Sequence, residues 1–321
     1  MGKKALIACA ALFVLMAHAS SSSSFEGPLA VKNQFPLFLH VNAPRLESAA
    51  VETSFSSGIS YSSVYMVRNS ATWSVGIDAE LAELSLRYRK AFGPLEVGVE
   101  VPVLLFTSGV MDGFLSSYHK TFGFSDYGRS GRPANRFLYE VRRNGRTVIK
   151  GTTEDPEIGD IRFSTKYALR QADPVISIRA DVELPTGDAK KGFGSGSLDA
   201  GAALLIDKKL GDKFKAHLNL GAVLPGDLKA YETVHLRDFL FAGAGIEAAL
   251  WKNFSLLGQV MAQGSPFPRT DIGAIDRPSV LLVLGGRYVE GKDSIELSIT
   301  EDPNTAGAPD VTFGLFYKRR F

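Results

Sequence analysis

Asp112, Ser116 and His119 are the residues of this 321-residue chain whose types and spacing could perform nucleophilic chemistry. Separations of four and three put them on one face of a helix. A Ser–His–Asp site needs that proximity and an oxyanion hole as well. Thiol chemistry is poorly supplied, because Cys9 is the only cysteine and lies in the N-terminal stretch. No Gly-rich phosphate loop and no clustered set of metal ligands stands out, so no cofactor and no metal are expected. Arg129, Arg132, Arg136, Arg142, Arg143, Arg146 and Lys150 form a basic run. It could meet lipopolysaccharide phosphates or other anions, or it could simply face water. The formal charge of +2 is that of Lys3 and Lys4, so the remainder is neutral and gives no basis for nucleic-acid binding.

The elements that must position such residues are strands. Leu95, Val97, Val99, Val101 and Val103 alternate with Glu96, Gly98 and Glu100. Ile176, Ile178, Val182 and Leu184 alternate with Arg179, Asp181 and Glu183. Phe313, Leu315, Tyr317 and Phe321 oppose Thr312, Gly314, Lys318 and Arg320. Such period-two patterns bounded by turn residues are strand signals. Connections alternate in length. Gly93-Pro94, Ala172-Asp173-Pro174, Gly211-Asp212, Lys252-Asn253 and Gly291-Lys292 are short, and the runs after Phe106, Thr186, Pro225, Pro266 and Asp302 are longer. Short turns at one end and long loops at the other are the pattern of an all-β transmembrane antiparallel barrel, here of about twelve strands. A periplasmic sandwich gives no reason for that rhythm. No run is long and apolar enough for a membrane helix.

The same parity assigns the two faces. Glu96, Glu100, Asp160, Arg162, Lys166, Arg179, Asp181, Glu183 and Arg287 fall on an inner wall, with Glu83, Arg87, Arg89, Lys215, Glu247, Glu296, Lys318 and Arg320. That wall is either a salt-bridged filling or a polar conduit, since barrels of this size lie between packed and channel-forming ones. Outward Trp73, Tyr88, Tyr167, Trp251, Tyr288 and Tyr317 are expected near the interfacial girdles. Trp73, Val75 and Ile77 have one parity, whereas Leu84, Leu86 and Tyr88 have the other. This switch predicts a β-bulge near Ala82.

The ends agree with export. Lys3 and Lys4, the apolar run Ala5 to Met16 and Ala17-His18-Ala19 read as a signal peptide over residues 1–19, cleaved before Ser20. A lipoprotein reading of Leu6-Ile7-Ala8-Cys9 leaves almost no hydrophobic region. Residues 20–48 are expected to form a periplasmic segment or a plug, and residues 49–321 the barrel. Residues 107–159 form one long interruption, with an amphipathic helix from Asp112 to Gly123 that sets Phe114, Leu115, Tyr118 and Phe122 on one face. Such a loop could constrict the lumen or bind a ligand.

Gly109, Asp112-Gly113-Phe114, Tyr118-His119, Phe122-Gly123, Asp126 and Gly128-Arg129 resemble the hallmark of an outer-membrane family defined only as a domain of unknown function, DUF3187. The resemblance implies a Gram-negative outer-membrane barrel with no established activity. It also weakens catalysis, since in that family the position of Ser116 is typically not serine. Outer-membrane acyl hydrolases place serine two residues after histidine, where His119, His217 and His235 have Thr121, Asn219 and Arg237. Ile158-Gly159-Asp160-Ile161, Glu183-Leu184-Pro185-Thr186-Gly187-Asp188, Gly194-Ser195-Gly196-Ser197 and Asp199 are similar to outer-membrane channels linked to aromatic-compound degradation, or are a Gly- and Pro-rich turn. Phe313, Leu315, Tyr317 and Phe321 resemble the terminal signal read by the barrel-assembly machinery, although Arg319 departs from it.

The resulting expectation is a non-enzymatic outer-membrane channel for a small solute, hydrophobic ones included. Asp112, Tyr118, His119, Phe122, Asp126 and Arg129 are its candidate gating or binding residues. Its expected partners are outer-membrane lipid and lipopolysaccharide, the assembly machinery and periplasmic chaperones. A closed structural or adhesion barrel is the alternative, and an acyl hydrolase a remote one.

Overall fold

The computed structural model describes residues 25–39, 44–122, 131 and 133–321. In chain order they form β1 (Ser54–Asn69), β2 (Trp73–Phe92) and β3 (Leu95–Thr107), then α1 (Asp112–Phe122). The hairpin β4 (Leu138–Arg143) and β5 (Arg146–Lys150) and the short β6 (Glu157–Ile158) come next. Strands β7 (Ile161–Arg170), β8 (Val175–Leu184), β9 (Asp199–Lys209) and β10 (Phe214–Leu224) follow. After β11 (Leu228–Lys229) and β12 (Thr233–Val234) come β13 (Phe239–Trp251) and β14 (Phe254–Gln263). The chain ends with α2 (Gly273–Asp276), β15 (Ser279–Glu290), β16 (Asp293–Glu301) and β17 (Val311–Arg320).

The main sheet has 15 strands, and all but β4, β5 and β6 form one closed antiparallel ring of twelve. Closure is made by β17 on β1, with Leu315 opposite Ile59. A closed ring leaves no unpaired edge, which is what a backbone in hydrocarbon requires. Outward Ile59, Leu84, Phe163, Ile178, Leu218, Leu284, Leu297 and Leu315 are exposed, whereas lumen-facing Glu96, Lys166, Glu247 and Arg287 are buried. A polar inside and an apolar outside invert the rule for water-soluble proteins and suit a lipid surround.

The β1–β2 ladder runs in unbroken register from Ser54 opposite Arg89 to Asn69 opposite Ser74, so the expected bulge near Ala82 is absent. The parity switch has another cause. Near the turn end, outward Leu84, Leu86 and Tyr88 face lipid. Toward the loop end, inward Trp73, Val75 and Ile77 pack into an apolar core with Phe35, Phe38 and Phe267. The strand stays regular and its surroundings exchange polarity. Trp73 is accordingly buried, not outward as expected. Tyr88, Tyr167, Trp251, Tyr288 and Tyr317 all lie near the short turns, forming a single girdle at that end.

The long interruption contains the β4–β5 hairpin, which continues the wall by pairing β4 with the loop-end half of β2. Its turn is Asn144-Gly145, with φ of 50° and 77°. Asn-Gly is the pair that such a two-residue turn favours, because both positions need positive φ.

Candidate functional site in the lumen

Residues 25–39 and 44–52 run through the inside of the barrel as two arms. The first arm leaves the turn end, where Glu26 pairs with Lys318 and Arg320 at 2.7 Å each. The amide of Gly27 donates to Glu247 at 3.2 Å, and Arg287 donates to the carbonyl of Pro28 at 3.1 Å. Leu29 packs on inward Leu257 and Val283. Lys32 pairs with Glu83 at 2.8 Å, and Gln34 donates to Ser60 and to Glu83. At the loop end Asn33 donates to the carbonyl of Gly307 at 2.6 Å, and Phe35, Leu37 and Phe38 enter the aromatic core.

The second arm returns beside the first, with Arg45 bridging to Lys32 in antiparallel fashion. Arg45 pairs with Glu100. Glu47 pairs through Oε1 with Arg87 at 2.6 Å and with Arg179 at 3.2 Å. Asn219 holds the backbone of Glu47 both ways, accepting its N–H at 2.7 Å and donating to its carbonyl at 3.0 Å. Ser48 donates to Asp207 at 2.6 Å, and Lys166 donates to the carbonyl of Ala50 at 2.7 Å. Glu52 pairs with Arg89 before the chain enters β1.

Burial pushes the Glu47 carboxyl up, yet Arg87, Arg179, Lys166 and Arg89 outweigh it and hold it well below the usual carboxylate range. Glu47 is thus an anion in a cationic nest. A gap of about 10 Å³ beside Lys32, Gln34, Arg45 and Glu83 has room for roughly one water. The inner wall is otherwise packed: Glu96, Glu100, Asp160, Arg162, Lys166, Arg179, Asp181, Glu183 and Arg287 are all buried.

Several of those residues bind one another. Lys166 pairs with Glu96 at 3.1 Å, Arg179 with Asp181 at 2.9 Å, and Arg287 with Glu247 and Glu296 at 2.9 and 3.0 Å. Asp160 accepts the amides of Gly187 at 2.8 Å and Ser195 at 2.7 Å. It thereby ties together the three segments of the Gly- and Pro-rich motif. Thr186 adds a hydrogen bond to the carbonyl of Gly159 at 2.7 Å.

The helix lies elsewhere. The Glu80 carboxylate, on the outer face of β2, accepts the amides of Val110 and Met111 and the hydroxyl of Tyr61. Met111 and Leu115 then pack on outward Val311, Tyr61 and Ile299, and Phe114 meets Phe313 with ring centroids 6.2 Å apart. α1 therefore rests on the outside of the wall at the loop end and does not stand in the lumen. Asp112 accepts the amide of Asn135 at 2.6 Å. Asp126, Arg129 and Arg132 lie outside the described residues, as do the side chains of Ser116, Tyr118, His119 and Phe122. Of the terminal strand, Phe313 and Leu315 are exposed outward, Tyr317 donates to Asp293 at 2.6 Å, and the Phe321 amide donates to Thr53. Residues 1–24, with the signal-peptide reading, lie outside the described residues.

Arg45, Glu47 and Asn219 escaped the sequence reading. Arg45 and Glu47 are charges set among Pro44, Leu46 and Ala49, a mixture that a polar linker would not need.

The profile of a family described as "Protein of unknown function (DUF3187)" matches residues 5–321. No curated protein matches the chain. Among solved structures the chain is similar to an outer membrane channel from Pseudomonas putida F1. Identity is 14%, the TM-score is 0.57, and the match covers 88% of this chain and 100% of that one. The NanC porin matches at 6% identity and a TM-score of 0.48, over 84% of this chain and 100% of its own. A monoaromatic hydrocarbon channel, CymD, matches at 13% identity and a TM-score of 0.43, over 84% and 89%. The first of these likenesses is one of fold.

Proposed function

The chain belongs to the DUF3187 family, and on that premise we propose that it is a passive outer-membrane channel for a small solute, held shut by its own residues 25–39 and 44–52. One observation carries this reading. The hairpin that fills the lumen is fastened by ion pairs and hydrogen bonds such as Glu26–Lys318, Lys32–Glu83 and Glu47–Arg87. Water can replace the polar contacts of both arms when the hairpin withdraws, and the cost of withdrawal is then the exposure of Leu29, Phe35, Leu37 and Phe38 as they leave their apolar clusters. A wall lined by charge would then conduct. The Pseudomonas channel lends its support as a barrel of the same fold named for that use.

The outward apolar belt fits insertion in lipid, with Glu26 and Phe321 on the turn side and α1 at the opposite rim. In this reading outer-leaflet lipid and lipopolysaccharide touch α1 and the exposed Arg136, and assembly factors read Phe313, Leu315, Tyr317 and Phe321. No catalytic role is assigned.

Single-channel conductance in a planar bilayer tests the gate. Deleting residues 25–49 is expected to turn brief, rare openings into steady current, whereas deleting residues 108–137 leaves the closed state unchanged. Current that appears only after the second deletion would return the gate to the α1 segment. The packed lumen also favours a second reading, a permanently closed structural barrel, and silence in every variant would select it.

A further inference from the structure

Glu47 is bound as a ligand is bound. Two guanidinium groups converge on its Oε1, and its Oε2 is buried without a hydrogen-bond partner among the described residues. Its backbone is read in both directions by Asn219. The cations around it are Arg87, Arg89, Lys166 and Arg179, on β2, β7 and β8. All sit on the wall and all remain there if the hairpin leaves. The acids facing this group are Glu96 beside Lys166, Asp181 beside Arg179, and Glu100, which lies 3.9 Å from Arg87. With Glu52 on Arg89 and Arg45 on Glu100 still in place, five cations against four acids leave one positive charge in excess once the Glu47 carboxylate is removed. The nest is thus matched to a single negative charge. Guanidinium forks suit a planar carboxylate.

We infer that the Arg87–Arg179 nest is a carboxylate-binding site that Glu47 occupies as an internal ligand, and that an organic monocarboxylate is the solute that competes with it. The inference rests on the channel reading for its solute, and on geometry alone for its site. A carboxylate entering the lumen would take the place of Glu47, release one arm of the hairpin and favour the open state. Opening would then be coupled to the presence of what is carried, by simple competition for one site.

The site is tested first without conduction, on the full chain in detergent. Glu47→Ala vacates the nest while Asn219 still holds the backbone. Sodium acetate is expected to restore most of the lost thermal midpoint of this variant, with sodium chloride matched and acetamide inert. Wild-type protein should gain no thermal midpoint, since a carboxylate there can only replace Glu47 and adds no new ion pair. Adding Arg87→Gln to Glu47→Ala should abolish the rescue. Equal effects of acetate and acetamide on Glu47→Ala would overturn the site.

The second measurement serves even if Glu47→Ala fails to fold. Benzoate is expected to raise the open probability of the wild-type channel several-fold, and benzamide is not. A conducting channel indifferent to the two would sink the solute while leaving the channel reading intact. Acetate rescue in a protein that never conducts would do the reverse, keeping the site and removing the channel.

Discussion

Glu52 closes the hairpin where it meets β1, and its carboxyl reports how firmly charge fastens the two. Burial pushes it up, but Arg89, Lys318 and Lys166 outweigh burial and hold it at about 2. An unperturbed glutamate titrates near 4.3, so the folded value lies below the unfolded one. A depressed carboxyl contributes stability that is full above the unfolded value and is lost as pH falls through the folded value. The contribution is on the order of 3 kcal/mol. The amide-exchange protection factors over residues 44–52, corrected for the intrinsic pH dependence of exchange, are therefore expected to fall as the pH drops from about 4.3 to about 2, ahead of those of the barrel strands. Glu52→Gln should exchange fast already at neutral pH. Protection in the wild type that is flat across this window would show that the ion pair contributes nothing. Arg287 shows what sequence parity could and could not reveal at this scale. Alternation placed it on the inner wall, where it is fully buried against Glu247 and Glu296. Its third partner, the carbonyl of Pro28, lies 259 residues away in a segment with no periodicity to read.

Among the elements, α1 is fastened to the wall by the Glu80 carboxylate beside the apolar packing of Met111, Phe114 and Leu115. Glu80 takes the Val110 and Met111 amides at 3.0 and 2.6 Å and the Tyr61 hydroxyl. Glu80→Ala leaves these donors unpaired in a partly buried place, a loss of about 1–3 kcal/mol for the docked segment. The barrel ladder does not depend on it. Limited proteolysis should thus cut near residues 108–122 several-fold faster in Glu80→Ala, while heat-dependent gel migration is unchanged. Loss of the folded gel band instead would make α1 part of the barrel's own stability. The strands themselves are legible: the alternations Leu95 to Val103, Ile176 to Leu184 and Phe313 to Tyr317 lie within β3, β8 and β17. Each is lipid-facing on one side and charged or small on the other, which is when period two is clearest. The reading failed where that contrast failed. In β2 the apolar parity changes because the neighbour changes from lipid to protein, and a bulge was inferred in its place. In β4–β5 the Asn144-Gly145 turn was a plain hairpin signal, but the flanking Arg142, Arg143 and Arg146 made it look like a solvated basic run. Arg143 and Arg146 in fact reach toward Glu232, at 3.5 and 3.7 Å. The side of the wall taken by α1 was beyond the sequence, since an amphipathic face is equally suited to a lumen or to an outer wall.

For the whole molecule, the placement of its two tryptophans tests the membrane assignment. Trp251 is 63% exposed on the outer face beside the Lys252-Asn253 turn. Trp73 is 4% exposed, packed at the opposite end against Phe267 with ring centroids 6.1 Å apart. In a lipid-inserted barrel Trp251 belongs to the interfacial girdle, with its ring against acyl chains and its N–H near the headgroups. Trp73 belongs to a protein core that caps the lumen, out of reach of lipid. Brominated phospholipid quenches only indoles it can touch. Refolded into such vesicles, the wild type should lose roughly the share of emission that Trp251 supplies, and Trp251→Phe should be almost unquenched. Trp73→Phe, whose only remaining indole is Trp251, should be quenched nearly completely. The two variants reverse one another only if the turn-end girdle lies in the bilayer and the loop-end core does not. Equal quenching of both variants would place Trp73 in lipid too, which would require the aromatic cap to be open. No quenching in either would mean that the exposed apolar belt meets something other than a membrane. The same pair also reports on the hairpin, because Trp73 shares its core with Phe35 and Phe38. A shift of Trp73 emission toward the red when residues 25–49 are deleted, with Trp251 unmoved, would show that the cap loosens while the wall stands.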